Sequence, residues 1–231
     1  MAIDQISPQY QAAGGVEARN RVLRNTYALL SLSMIPTILG AWVGIATHFS
    51  LFASSPGLSF VAFLAIAWAF MAGITRFRNS GTGILLLLGF TFFMGLMLSR
   101  LLGFVLGMHN GPQVVMMAFG STAIIFGVMA SIASTSKRDF SAMGRWLSVG
   151  VIVILLAAVA NIFLHLPALM LTISLLATVV FSLFILFDLN RVVTGGETNY
   201  VMATLSVYIN LYNVFSNLLA LFGVAGGNSS D

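Results

Sequence analysis

Seven long apolar runs, separated by gaps that are alternately basic and free of Lys or Arg, leave this 231-residue chain few ways to fold. The runs cover 26–49, 58–74, 82–106, 113–133, 146–164, 167–187 and 200–224. Each has roughly the 17–25 residues that a helix needs to cross about 30 Å of hydrocarbon. The fifth and sixth runs are parted only by His165, Leu166 and Pro167. As one helix they would be about 63 Å long, twice the thickness of a bilayer, so they predict a tight hairpin. With 59% hydrophobic and 7% charged residues and a mean hydropathy of +1.01, the chain lies outside the range of soluble domains. The pattern predicts an all-α membrane protein, a bundle of seven transmembrane helices.

The basic residues test that count independently. Arg19, Arg21 and Arg24 precede the first run, and Arg76 and Arg78 follow the second. Lys137, Arg138 and Arg145 lie between the fourth and fifth, and Arg191 follows the sixth. The remaining gaps and the C-terminal stretch hold no Lys or Arg. By the positive-inside rule the N-terminus is cytoplasmic and the C-terminus external, which puts residue 137 inside and residue 228 outside. The net charge of +4 is thereby explained by orientation and by anionic lipid headgroups, with no call for nucleic acid as a partner. A chain without cysteine has no disulfide, thiol nucleophile or thiolate metal site. The first apolar run is too long for the core of a signal peptide, so an uncleaved first helix is expected.

Three regions are expected: a polar cytosolic N-terminal tail at 1–25, a seven-helix transmembrane domain at 26–224, and a short disordered external tail at 225–231. Pro8, the Gly14-Gly15 pair and several Gln predict a mobile first half of the N-terminal tail, with helix from Val16 onward. The pairs Gly40/Gly44 and Gly103/Gly107 have the spacing that lets membrane helices approach closely.

Polar side chains at hydrocarbon depth are costly unless paired or hydrated, so they are the main functional clue. Ser206, Asn210, Asn213 and Asn217 recur at i, i+4, i+7 and i+11 and share one face of the seventh helix. Tyr208 and Tyr212 add hydroxyls on another side. A helix this polar is expected at the centre, enclosed by the other six. The stripe is either interhelical hydrogen-bonding glue or the wall of a hydrated path. Asp188 closes the sixth run, near the cytoplasmic interface. It is either a buried, proton-sensitive group or a hydrated carboxylate beside Arg191. Arg100 falls late in the third run, at the opposite end, where its long stem can snorkel.

His48, His109 and His165 all fall on the external side at helix ends, and nothing in their spacing makes them converge on a metal. The protease and hydrolase motifs H-E-x-x-H and G-x-S-x-G do not occur. An aspartyl dyad would need two carboxylates at one depth, but Asp139 and Glu197 lie in loops. No enzyme activity, catalytic residue, metal or cofactor is expected.

The C-terminal third carries a resemblance. Phe187-Asp188, the string GGETNY at 195–200, and the stretch from Ser206 through Tyr208, Asn210 and Asn213 to Phe215 resemble the Bax-inhibitor (transmembrane Bax inhibitor motif) family. RVLRNTY at 21–27, SPGL at 55–58 and VANIFLHLPAL at 159–169 are similar to its bacterial YccA-like branch. The resemblance implies a seven-helix fold with the seventh helix central. It also implies a bacterial inner-membrane protein that binds the membrane AAA protease FtsH and restrains it as a slowly degraded substrate. The family's wider theme implies a pH-sensitive calcium leak governed by two carboxylates, one ending the sixth helix and one within the seventh. Asp188 matches the first, whereas the second position is Asn210, which cannot ionise. The reading that follows is a modulator of FtsH. The alternative is a weak calcium or cation leak through a polar network of Asp188, Ser206, Asn210, Asn213 and Asn217.

Overall fold

The computed structural model describes residues 8–49, 56–136, 138 and 140–227. The chain forms α1 (Pro8–Ala46), α2 (Pro56–Arg76), α3 (Gly81–Leu106), α4 (Gly111–Thr135), α5 (Ser141–Leu164), α6 (Pro167–Thr194) and α7 (Tyr200–Gly227), with no strand among the described residues. All seven are long and apolar enough to cross a membrane. Met1–Ser7 and Asn228–Asp231, on which the expectations of mobile termini partly rest, lie outside the described residues.

Two boundaries differ from the sequence reading. Helix α1 starts at Pro8 rather than Val16 and runs unbroken through Gly14-Gly15. Asp188 does not close α6, which continues to Thr194. The apolar run ends at the first charge, but Leu189 and Val192 are fully buried and carry the helix on. What stops it is Gly195 at φ 84, with the N–H groups of Gly195 and Gly196 donating to the Val192 and Arg191 carbonyls. Asp188 is thus about 9 Å inside the helix end.

Helix α7 is the axis of the bundle. Around it α1, α3, α4 and α6 form a closed ring, each packed on its two neighbours and on α7. Outside the ring, α2 packs on α3 and touches α7, whereas α5 packs on α6 alone. Five helices therefore contact α7, not six. Helix α5 turns almost its whole circumference outward, with Trp146 and Phe163 each 79% exposed, which is stable only against lipid tails. The α5–α6 turn is as tight as the sequence requires: His165 adopts φ 51, the Leu166 N–H donates to Asn161 Oδ1 at 3.0 Å, and Pro167 opens α6.

Among the glycines, the tightest contacts between helices are those of α1 with α3. A side chain at Gly40 would run into the Phe92 carbonyl, and one at Gly95 into the Thr37 carbonyl; at Gly44 it would meet Ser99. Of the two glycine pairs singled out in the sequence, Gly40/Gly44 makes this contact. Gly103 meets only the Ile45 side chain at ordinary distance.

Candidate functional site: the polar seam of the central helix

The residues of the α7 stripe do not act alike. Asn210 reaches across to α6, where its Nδ2 donates to Asp188 Oδ2 at 2.7 Å. Asp188 is 8% and Asn210 7% exposed, so this carboxylate–amide pair lies inside the protein. Asn213 Nδ2 turns back to the Ile209 carbonyl at 2.8 Å, and Asn217 Nδ2 to the Asn213 carbonyl at 2.8 Å. Ser206 is half-buried on the same helix. The structure therefore brings Asp188 and Asn210 together, whereas the amide donors of Asn213 and Asn217 serve their own helix.

A second knot lies on the α1–α3 side. Thr37 Oγ1 lies 2.8 Å from the Ser33 carbonyl and shares a 2.7 Å hydrogen bond with the Tyr208 hydroxyl. The same hydroxyl lies 3.3 Å from the Thr91 carbonyl of α3. One level nearer the basic end, Thr204 Oγ1 lies 3.3 Å from the Thr26 carbonyl of α1. Helix α7 is thus held to α6 by one polar pair and to α1 and α3 by another.

The basic end is clasped by two asparagines. Asn199 caps α7 through Oδ1, which accepts from the N–H groups of Val201 and Met202 at 3.0 Å. Its Nδ2 donates to the Arg78 carbonyl and to Asn79 Oδ1, tying the α6–α7 loop to the α2–α3 loop. Asn190, 1% exposed, accepts from the Phe140 N–H and donates to the Arg138 carbonyl, each at 3.3 Å. Arg191 lies 3.9 Å from Glu197 and 5.6 Å over the Phe187 ring, and that ring occupies the space left by Gly144 on α5. Arg19 Nη1 reaches the Val193 carbonyl at 3.5 Å.

Sequence reasoning missed Asn190, Asn199 and Thr37 as contact-makers. Asn190 and Asn199 carried a signal, being polar amides at the edge of an apolar run and before a helix. Thr37 carried none, because a helical hydroxyl ordinarily satisfies itself on the preceding turn. Arg100, His48, His109 and His165 are exposed. Among the described residues no three His, Cys, Asp or Glu side chains gather as metal ligands.

A seven-helix membrane protein with its polar helix enclosed at the centre, joined to its neighbour by a buried carboxylate, is the class that these features define. The family model described as Inhibitor of apoptosis-promoting Bax1 matches residues 19–227, and the chain belongs to that Bax-inhibitor family. It is 39% identical over 206 residues to the Escherichia coli K12 protein named Modulator of FtsH protease YccA, covering 89% of this chain and 91% of that one. It is 38% identical over 209 residues to an uncharacterized membrane protein of Vibrio cholerae, covering 90% of this chain and 92% of the relative. A Neisseria meningitidis relative is 37% identical over 212 residues, 91% of this chain and 93% of its own.

Proposed function

We infer that this protein is an inner-membrane modulator of FtsH: it binds the protease and, as a slowly degraded substrate, restrains its action on other membrane proteins. The observation that supports this reading is the 39% identity, across 89% of the chain, to a protein named a modulator of FtsH protease. A relative from a second Escherichia coli strain is named an inner membrane protein. In the orientation given by the positive-inside rule, the basic end of the bundle and the N-terminal extension of α1 face the cytoplasm. Residues 1–25 are then the handle that the protease engages. The test is co-purification with FtsH from detergent-solubilised membranes, with the full chain and with a chain shortened through Gly15. Recovery of FtsH with the full chain is expected, and its absence would remove the reading.

A second reading, a weak pH-sensitive calcium or cation leak, is favoured by the burial of Asp188 beside Asn210. Against it stands the amide, which cannot exchange a proton with the carboxylate at physiological pH.

A further inference from the structure

We propose that α1 consists of two mechanically separate segments joined at Pro36, and that the outer one, Thr37–Ala46, is a lock on α3 at which extraction of the chain from its N-terminus stalls. This rests on the reading that the protease draws the chain in from that end.

Pro36 lies inside α1. It has no N–H to give the Leu32 carbonyl, and its ring crowds that turn, so the helical ladder is interrupted there. The segments on either side are held differently. Before the proline, α1 is held by buried side chains and single hydrogen bonds: Leu29 and Leu30 are buried, the Thr26 carbonyl meets the Thr204 hydroxyl, and Arg19 reaches Val193. After it, α1 is held by backbone. Gly40 lies against the Phe92 carbonyl and Leu96 N–H, and Gly95 against the Thr37 carbonyl and the Ala41 N–H. Thr37 adds its bond to Tyr208 of the central helix.

Membrane helices gain no hydrophobic free energy by associating, so close packing and interhelical hydrogen bonds hold them together. The close backbone packing of α1 on α3 lies beyond Pro36, with the Thr37–Tyr208 bond beside it. The lock begins about 16 Å along the helix from Thr26, in the outer half of the membrane in the proposed orientation. A pull from the cytoplasm unwinds α1 turn by turn, each lost bond exposing the next. That propagation ends where the ladder is already broken, while the backbone seam beyond it is intact. The protease is left holding a chain whose remaining helices are still folded, which makes degradation slow and keeps the protease occupied.

Single-molecule stretching of the full chain in bicelles, through a handle on its N-terminus, tests the lock without any protease. The natural sequence is expected to release α1 in two steps, the first ending near Pro36. Gly40→Ala and Gly95→Ala are expected to abolish the second step. Gly103→Ala, the same change on α3 where the space is ordinary, is expected to keep it, and Pro36→Ala to merge the two. Thr37→Val keeps the side chain's shape and removes one bond, so it serves if the glycine variants fail to fold. In cells it is expected to shorten the half-life about threefold, the effect of losing one interhelical hydrogen bond in a membrane. Release in one step from the natural sequence, or an equal effect from Gly103→Ala, would overturn the lock. Two steps with a half-life unchanged in cells carrying inactive FtsH would support the lock and remove the protease reading instead.

Discussion

Asn210 decides what the buried pair can do. Its amide donates to Asp188 at 2.7 Å, and this bond persists at any pH at which the carboxylate is charged. Two carboxyls at that separation would titrate as a coupled pair, with one proton shared or lost as a unit. The natural sequence is therefore expected to pass little calcium into liposomes between about pH 6 and 8, and Asn210→Asp to gain a pH-dependent flux. Asn210→Leu removes the polarity without adding charge and should pass none. Dye-reported calcium entry measures all three, and strong pH-dependent flux from the natural protein would put the leak reading first. The period of the stripe was legible because four polar residues in an apolar run can only share a face. Its division was not: whether an asparagine reaches the next helix or folds back depends on the neighbour's position, which the period does not contain. Asp188 was misplaced for a related reason. Hydropathy ends a run at the first charge, whereas a helix ends where its carbonyls are capped, and that required Gly195.

At the scale of the helix, attachment is uneven, and each attachment makes a prediction. Helix α5 rests on α6 alone, and Gly144 is where the Phe187 ring meets its backbone. Gly144→Leu is expected to displace that ring and lower stability by about 1–3 kcal/mol, the usual cost of overpacking. Gly127→Leu should be nearly silent, because Gly127 of α4 faces open space. Unfolding in mixed micelles would rank the two, and equal effects would deny that α5 is anchored there. At the other end, deleting residues through Gly15 removes no membrane-spanning residue. It should slow turnover by FtsH while the bundle remains folded; unchanged pulse-chase decay would take the N-terminal tail out of the mechanism. Glycine spacing alone pointed to both Gly40/Gly44 and Gly103/Gly107, since a period says which residues share a face and not which face meets a helix. Glycine spacing does not pick out Gly95, because the residue four positions on, the one that meets Gly44, is Ser99 rather than a glycine.

For the whole molecule, the order of the runs and the placement of charge carried most of the architecture, because apolar runs of this length cross a bilayer as helices that satisfy their own backbone. The ring of α1, α3, α4 and α6 around α7 was not legible beyond the central place of α7, since nothing in the sequence says that α2 and α5 lie outside it. Structure and charge do converge on the two ends. Arg19 meets Val193, Asn199 meets Arg78, and Asn190 meets Arg138, which gathers the N-terminal part of α1 and the loops before α3, α5 and α7 at one end. Those are the basic gaps. By the positive-inside rule that end is expected in the cytoplasm, and His165, in the α5–α6 turn at the other end of those helices, is expected outside. Because the chain has no cysteine, a single introduced thiol reports its side of the membrane without background. Arg138→Cys and His165→Cys both replace exposed residues, so neither should disturb packing. In intact spheroplasts an impermeant maleimide is expected to label His165→Cys at once and Arg138→Cys only after the membrane is opened. Labelling in the reverse order would invert the bundle, place the α1 extension away from the cytoplasm, and end its candidacy as a handle for a cytoplasmic protease.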